Sequence, residues 1–576
     1  MKRILQILKP YRGAILITII FLFLSTMCNL MLPNLMADIV NEGLVSGQTG
    51  FILQVGGYML LLSILDMGFS IASNFFSSKA AMGFGRDLRS IIFKKITGYS
   101  LNEVDKIGAA SLITRNTNDT NQIQMLIMIG LRMMVSIPLN MVGGIIMAVS
   151  KDPRLSLIIV AVMPVLALVI VINIKWTTPL FKKMQTGLDK LNMVVREGLS
   201  GMRVIRAFNR TEHEKIRFEN ANRDLTQTSL TAMRRMTLMM PLTMTCMNIA
   251  TIAILVFGAF RVDSGSMLPG DLMAFIQYVT MVLMTLMMAT FMLNMIPRAV
   301  VSFKRISEVL EIDPEVKDPQ SPTLPDPGKR GYVKFDNVTF TYPGAEEPIL
   351  TEISFEARPG ETVAIIGSTG SGKSTLINLI PRFYDIQKGR ILIDDVDIRD
   401  MEQLALREKI GFIPQKALLF TGTITENILY GKPDATDEEI YRAADIAQAS
   451  GFINEMESGY DSLLSQDATN VSGGQKQRIS IARAVIRNPE IYIFDDSFSA
   501  LDFKTDANLR KALKPVTKNS TVIIVAQRVS TVMNADRIIV LDEGRMVGLG
   551  THSQLMNSCS VYNEIVSSQL SEEELA

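Results

Sequence analysis

The sequence predicts a multidomain protein in which an all-α, six-helix transmembrane domain precedes an α/β domain. Six long apolar stretches fall before residue 300, and short β-rich runs alternate with helical patterns after a segment dense in proline and charge. The chain has 576 residues, 48% of them hydrophobic, so more than one domain is expected. We predict a transmembrane domain at 1–310, a linker at 311–331 and an α/β domain at 332–576.

Each apolar stretch is long enough to cross a bilayer as a helix, which needs about 20 residues. The first follows a basic N-terminus and has no clear small-residue cleavage site, so it is interpreted as a retained span rather than a signal peptide. The predicted spans are Ile15–Leu32, Ile52–Phe76, Ile127–Val149, Leu155–Ile174, Met236–Phe260 and Leu272–Ile296.

The loops between the spans are unequal in length and charge. Those after the second and fourth spans are long and rich in Lys and Arg, from Lys79 to Arg115 and from Lys175 to Arg235, whereas the others are short. Because basic loops stay in the cytoplasm, both termini and the long loops are predicted to be cytoplasmic. The helical periodicity of these loops predicts that the second to fifth spans continue as helices beyond the membrane.

Charge and cysteine usage exclude some classes of protein. Lys plus Arg number 58 and Asp plus Glu 57, so no overall charge favours nucleic acid as a partner. Cys28, Cys246 and Cys559 are far apart without metal-ligand spacing and are interpreted as packing thiols. The chain has only two histidines, His213 and His552.

A glycine-rich motif, "GSTGSGKST", follows the apolar run "TVAII" and precedes a helical pattern. In this arrangement backbone N–H groups cradle phosphates, Lys373 reaches the outer phosphates, and Ser374 binds magnesium. A simple glycine-rich turn is the alternative, but the strand before and the helix after favour nucleotide binding. The motif comprises Gly367, Ser368, Thr369, Gly370, Ser371, Gly372, Lys373, Ser374 and Thr375.

A second strand, "IYIF", ends in two consecutive acids, Asp495 and Asp496. An acid at the end of a strand suggests a Mg²⁺ site, and a second acid suggests a base beside a reacting phosphate. A base reaching for water is usually the longer Glu, so the pair leaves open whether the site hydrolyses nucleotide or mainly holds it.

The motif "VSGGQKQR" precedes this strand, and here the sequence resembles the ATP-binding cassette (ABC) family, whose signature is LSGGQ. The resemblance covers nearly the whole chain, because the six spans with long loops look like the exporter type of this family. It implies that Tyr342 stacks on adenine, that Gln415 senses magnesium and the membrane domain, and that Asp502 belongs to the D-loop. The signature residues Ser472, Gly473, Gly474 and Gln475 would face the ATP of a partner cassette.

Two positions depart from the family pattern. The hydrolytic base, a Glu after the strand Asp, is Asp496 here, which shortens its reach by roughly 1.5 Å against the 2.6–3.2 Å that a base needs. The switch His after the strand "TVIIVA" is Gln527, and neither histidine is nearby in sequence. Gln donates a hydrogen bond but carries no proton or positive charge. The segment "SQDATN" before the signature also departs from the usual pattern, which puts cross-talk with the coupling loops in question.

These departures resemble the degenerate-site subunit of bacterial heterodimeric multidrug exporters. The resemblance implies an ATP- and Mg²⁺-dependent translocase in the bacterial inner membrane, paired with a homologous half that has the intact Glu and His. Two alternatives remain: a regulatory or channel-like protein that binds ATP and hydrolyses little, and a homodimeric exporter of lipids or peptides.

The membrane part offers weaker signals about substrate. In the last span five methionines recur at helical spacing and would suit varied apolar ligands, although helix–helix or lipid packing is the favoured explanation. Asp66, inside the second span, would favour cationic amphiphiles if it faces a cavity, or would pair with Arg132. The segments Ile113–Asp119 and Ala207–Ile216 match the places where the family has coupling helices. The methionines are Met281, Met284, Met288, Met292 and Met295.

Overall fold

The computed structural model describes residues 4, 6–323, 325–326, 328 and 330–569, without the side chains of 291, 293 and 294. The chain forms two compact units. One contains the residues up to 97 together with 110–312, and the other contains 98–109 together with 313 onwards. The second unit therefore includes a short segment taken from the predicted transmembrane domain.

The membrane unit is built on six helices that are long and apolar enough to cross a bilayer, counted over the described residues. All six predicted spans are confirmed, and the second to fifth run on as continuous helices as expected. A short helix, α3, separates the second and third, and another, α6, follows the fourth. The helices are α1 Arg12–Asp38, α2 Thr49–Thr97, α3 Leu101–Ile107, α4 Ala109–Lys151, α5 Leu157–Ser200, α6 Met202–Ala207, α7 Thr211–Asp263 and α8 Pro269–Glu311.

Two ion pairs join the short loops at one end of the membrane unit. Lys151 Nζ lies 2.7 Å from Asp271 Oδ1, and Arg261 Nε lies 2.7 Å from Asp152 Oδ2. Asp152 is almost fully buried and also accepts hydrogen bonds from the backbone N–H groups of the residues after it. These contacts fix the ends of α4, α7 and α8 relative to one another.

The second unit contains a mainly parallel six-stranded sheet and a four-stranded antiparallel sheet. The strand order is β12-β11-β3-β10-β9-β6 in the first and β2-β1-β4-β5 in the second. The strands are β1 Val333–Phe340, β2 Leu350–Ala357, β3 Thr362–Gly367, β4 Lys388–Ile393, β5 Val396–Asp397, β6 Ile410–Ile413, β7 Gly422–Thr423, β8 Leu463–Leu464, β9 Ile491–Asp495, β10 Thr521–Val525, β11 Arg537–Asp542 and β12 Arg545–Gly550.

Helices cover both faces of the six-stranded sheet, so the buried strands are apolar along their whole length, as parallel strands usually are. The helices are α9 Lys373–Leu379, α10 Gln403–Glu408, α11 Ile424–Leu429, α12 Asp437–Ile446, α13 Ser450–Asn454, α14 Gly473–Arg487, α15 Phe503–Val516, α16 Val529–Val532, α17 His552–Ser558 and α18 Ser560–Gln569.

This topology determines which loops meet. Strands β3, β10 and β9 are parallel neighbours, so their carboxyl ends lie at one edge of the sheet. Open α/β sheets bind ligands at that edge. The glycine-rich motif begins at the end of β3, Asp495 and Asp496 stand at the end of β9, and Gln527 follows β10. The fold thus brings together residues up to 160 positions apart in sequence.

Candidate nucleotide site

The glycine-rich loop makes a tight turn between β3 and α9. Gly370 and Gly372 have φ values of +86° and +93°, a region that favours glycine. At Gly367 a Cβ would meet the backbone oxygen of Leu541 at 2.1 Å, so a side chain cannot fit there. The glycine positions are therefore required by the backbone path of this loop.

Lys373 folds back over the same loop. Its Nζ donates hydrogen bonds to the carbonyl oxygens of Gly367 at 2.8 Å and Ser368 at 2.7 Å. Burial lowers the pKa of Lys373, and the nearby charges of Asp496 and Asp495 oppose that shift. An ammonium group held above a loop of this kind is suited to an anionic phosphate.

Ser374 and Asp495 form a pair of oxygen donors. Ser374 Oγ donates a hydrogen bond to Asp495 Oδ1 at 3.0 Å, so the hydroxyl at the start of α9 touches the acid at the end of β9. Burial raises the pKa of Asp495, the bond from Ser374 lowers it, and the charge of Asp496 raises it further. Mg²⁺ prefers oxygen ligands and takes only a few of them from the protein, because waters and substrate phosphates supply the rest. This pair of oxygen atoms therefore suits Mg²⁺.

Asp496 is held by two side-chain amides. Gln415 Nε2 and Gln527 Nε2 donate to the same carboxylate oxygen, Oδ2, at 3.2 Å and 3.0 Å. The backbone of Asp496 has φ +46° and its N–H bonds the carbonyl oxygen of Val525. Burial raises the pKa of this carboxyl, and the hydrogen bond from Gln415 opposes the shift. The structure therefore brings the two departures from the family pattern into direct contact.

Tyr342 packs over the helix that follows the glycine-rich loop. Its hydroxyl lies 3.1 Å from Thr375 Oγ1, and its ring makes edge contacts with Phe340 and Tyr384 at centroid distances of 4.9 and 5.3 Å. The tyrosine predicted to stack on adenine is thus a half-buried ring beside the phosphate-binding motif.

The signature residues form a second group. Ser472 caps α14 through a reciprocal pair of bonds with Gln475, whose N–H donates to Ser472 Oγ at 3.3 Å and whose Oε1 accepts from the Ser472 N–H at 2.8 Å. Ser472 and Gly473 are exposed, and a Cβ at Gly474 would lie 3.1 Å from the oxygen of Ala500. Asp502 caps α15 by accepting a bond from the Thr505 N–H at 2.9 Å.

Sequence reasoning missed two side chains that position the site. Gln477 Nε2, on the signature helix, donates to the carbonyl oxygen of Pro414 at 3.1 Å, and Ser497 Oγ donates to that of Ile413 at 2.9 Å. Both side chains are buried and hold the backbone just before Gln415. The sequence could have indicated a role for Gln477, because this residue belongs to the same "GGQKQR" run as the signature.

Comparison with known proteins identifies the family. The ABC transporter transmembrane region matches residues 15–287, and the ABC transporter family matches residues 350–499. An uncharacterized ABC transporter ATP-binding protein of Mycobacterium tuberculosis (strain CDC 1551 / Oshkosh) is 42% identical over 567 residues, which cover 98% of this chain and 97% of that protein. This chain belongs to the ABC transporter family.

Two further similarities bear on what kind of ABC transporter it is. The fatty acid ABC transporter ATP-binding/permease protein of the same organism is 36% identical, over 83% of this chain and 75% of that one. The solved structure of a bacterial Atm1-family ABC exporter with ATP bound has a TM-score of 0.81 at 26% identity, covering 97% of this chain and all of that chain. The transporter thus has the Atm1-like exporter fold, with ATP hydrolysis coupled to transport.

In the membrane unit of the transporter, Asp66 bonds residues other than Arg132, the partner considered in the sequence analysis. Its Oδ1 accepts hydrogen bonds from Ser25 Oγ at 2.5 Å and Asn29 Nδ2 at 3.0 Å, both on α1. Among the described residues it forms no ion pair with Arg132, whose Nε is buried without a hydrogen-bond partner. The proposed Asp66–Arg132 pair is therefore wrong, because α1 supplies neutral donors to the acid instead.

The methionine face of α8 is partly accessible. Met284 and Met288 are exposed at 38% and 61%, whereas Met281 packs beside the core of the membrane unit. Met292 and Met295 are half-buried. Whether this face binds substrate stays a prediction.

One predicted coupling segment is displaced along the sequence. Ile113–Asp119 belongs to the membrane unit, where buried Asp119 accepts a hydrogen bond from Ser302 Oγ at 2.8 Å. Instead, α3 clusters with the nucleotide-binding unit: Asn102 Nδ2 donates to Glu315 Oε2, and Tyr384 OH donates to Asp105 Oδ2. The first assignment was wrong, and that of Ala207–Ile216 stays a prediction.

Proposed function

We propose that this chain is one half of a heterodimeric ABC exporter in the bacterial inner membrane, with a slowly hydrolysing ATP site of its own. The observation that carries this proposal is the contact of Gln415 and Gln527 with Asp496 Oδ2. A carboxylate oxygen occupied by two amide donors is a poor acceptor for a proton from water. An Asp also reaches less far than the family's Glu, and a misplacement of about 1 Å can cost on the order of 10²-fold in rate.

The same site remains equipped to bind ATP. Lys373 and the glycine-rich loop would hold the phosphates, and Tyr342 would support the adenine. Ser374, Asp495 and Gln415 would hold Mg²⁺, whose charge neutralises the phosphate oxygens. This combination of an intact binding set and a weak base supports long occupancy by nucleotide.

The exposed signature would complete the competent site of the partner. Ser472 and Gly473 present a capped helix start with no side chain covering it within the described chain. Backbone N–H groups at a helix start favour an anion. The partner proposed is a homologous half-transporter with the intact Glu and His, so that one ATP is hydrolysed at its site while the other is held here.

The proposed substrates are amphipathic drugs or other apolar compounds that partition into the bilayer, including cationic amphiphiles. The exposed methionines of α8 supply a flexible apolar surface, and Asp66 supplies a carboxyl group beside the polar side chains of Ser25 and Asn29 on α1. The relative named as a fatty acid transporter supports an apolar, amphipathic substrate class. No nucleic acid partner is proposed.

Reconstitution distinguishes this proposal from the regulatory and homodimeric alternatives. The chain is placed in vesicles alone and with a homologous half encoded beside it, and ATPase and ATP-dependent movement of a fluorescent amphiphile are measured. Uphill movement only in the mixed vesicles is expected. Vigorous transport by the chain alone would support a homodimer, and nucleotide-dependent structural change without transport in either sample would support a regulatory protein.

A further inference from the structure

An apolar groove lies between α1 and α4 of the membrane unit. It has a volume of about 470 Å³ and is lined only by apolar atoms. The side chains contributed by α1 are 36–48% exposed, so the groove is open to the surroundings of the unit. Its lining is Ile19, Ile20, Phe23, Leu24, Val135, Pro138 and Leu139.

Arg132 lies at one end of this groove. It precedes Val135 and Leu139 by three and seven residues on α4, the spacing of one helical face. Its Nε is buried without a hydrogen-bond partner, and within the described chain its guanidinium pairs with no carboxylate. A cation left unpaired in a membrane helix is costly and marks a functional position.

The helix of the other wall, α1, also has an arginine, two turns before its first lining residue, Ile19. Arg12 precedes Ile19 and Phe23 by seven and eleven residues on α1, again on one helical face. Its side chain is exposed and has no hydrogen-bond or acidic partner among the residues described. Each of the two helices that form the groove therefore carries an arginine before its first lining residue.

The depth of Arg132 matches the edge of the hydrocarbon. From Arg132 to Lys151, at the opposite end of α4, the helix rises about 28 Å at 1.5 Å per residue. The hydrocarbon core of a bilayer is about 30 Å thick. With Lys151 in its ion pair at the far surface, Arg132 reaches the level where lipid headgroups begin on the cytoplasmic side.

We propose that this groove is a binding site for an anionic phospholipid of the cytoplasmic leaflet. One acyl chain lies along Phe23, Val135 and Leu139, and Arg132 and Arg12 hold the phosphate. Phosphatidylcholine has the same phosphate, but its choline cation is repelled by the two arginines, so a headgroup of net negative charge is the preferred occupant. The proposal does not depend on the degenerate nucleotide site.

Native mass spectrometry of the full chain in detergent tests this assignment. The protein is mixed with phosphatidylglycerol or phosphatidylcholine of identical acyl chains, and retained lipid is counted. The wild-type protein is expected to retain one molecule of phosphatidylglycerol in preference to phosphatidylcholine. Arg132→Gln is expected to lower that retention about fivefold, since a basic residue near the membrane surface attracts anionic lipid by about this factor. Arg132→Lys is expected to keep most of it.

Two controls make the test specific. Arg298→Gln removes an exposed arginine of α8 away from the groove and is expected to leave retention unchanged. Leu139→Trp is expected to fill the groove and lower retention of both lipids. Size-exclusion profile and ATP binding confirm that each variant is folded; if Arg132→Gln misfolds, Arg132→Lys and Leu139→Trp decide the question.

Three results would overturn the proposal. One is equal retention of both lipids by wild type, and another is equal loss in the Arg132 and Arg298 variants. The third concerns a transported ligand and uses the chain assembled with its partner half. If oleate displaces phosphatidylglycerol and then leaves the protein when ATP is added, the groove is a substrate path and not a lipid site.

Discussion

Gln527 Nε2 lies 3.0 Å from Asp496 Oδ2, so the residue at the switch position bonds the residue at the position of the catalytic base. In sequence these are two separate departures, 31 residues apart. In the folded chain they are one arrangement, in which a neutral amide occupies an oxygen that a base would direct at water.

Replacing Asp496 by Asn is expected to lower the ATPase rate of the assembled transporter by less than about threefold. The partner's intact site carries the turnover, and replacement of its catalytic Glu by Gln is expected to lower the rate by about 10² or more. Steady-state ATPase of the reconstituted pair measures both. Equal, near-complete losses from the two changes would refute the degenerate-site proposal.

The double change Asp496→Glu with Gln527→His is expected to raise hydrolysis at this chain's own site. It restores the longer acid and a side chain that can carry a proton. In a sample that contains only this chain, two copies would pair and both of their ATP sites would then be complete. The ATPase rate of that sample should rise roughly 10-fold or more. The single change Gln527→Asn is the matched control and should give no gain. No increase in the double variant would place the defect elsewhere.

Ser472→Arg is expected to stop turnover at the partner's site, although Ser472 lies outside this chain's own nucleotide site. A large cation at the helix start would break the cap made with Gln475 and block close approach of phosphate. Ser553→Arg, on an exposed face of α17, is the control for added charge and size. The measurement is the rate at which ATP bound at the partner's site is hydrolysed in the assembled transporter. An unchanged rate would contradict the prediction.

Asp495→Asn is expected to raise the melting temperature of the nucleotide-free chain at pH 8. Burial raises the pKa of Asp495, so the folded state favours the protonated acid and loses stability as pH rises through that pKa. An amide avoids this loss, and each 1 kcal/mol is worth about 2–4 °C in a domain of this size. The gain should shrink as pH falls and the wild-type acid protonates. Thermal-shift measurements from pH 5 to 8 check the trend, and a constant difference across that range would contradict it.

Gln477→Leu is expected to uncouple the signature helix from the segment that holds Gln415. The change introduces an apolar side chain of similar size and leaves the oxygen of Pro414 without its donor, which costs about 1–3 kcal/mol in a buried place. We expect a lower melting temperature and fewer substrate molecules moved per ATP. The exposed Gln466, changed likewise, is the control. An unchanged transport-to-ATPase ratio would argue against a positioning role.

Much of the fold was predictable because its signals are local. Apolar length located all six spans, and strand–glycine loop–helix order located the phosphate-binding loop. The partners of Asp66 were not predictable in this way. Ser25 and Asn29 lie about 40 residues earlier, and nothing in their own pattern marks them as donors to that acid. Likewise, Gln415 and Gln527 meet at Asp496 Oδ2 only because of the order of the strands in the sheet, which the sequence pattern does not give.

Helix α3 makes the nucleotide-binding unit discontinuous in the chain. Glu103 is buried and accepts the N–H of Glu315, and Asp105 accepts the hydroxyl of Tyr384. A cassette excised at residue 313 would therefore lack a piece of its own fold, with a gap beside Tyr384 where α3 belongs. Supplying residues 98–109 as a separate peptide is a direct way to ask how much of the cassette's stability comes from a stretch of the membrane domain.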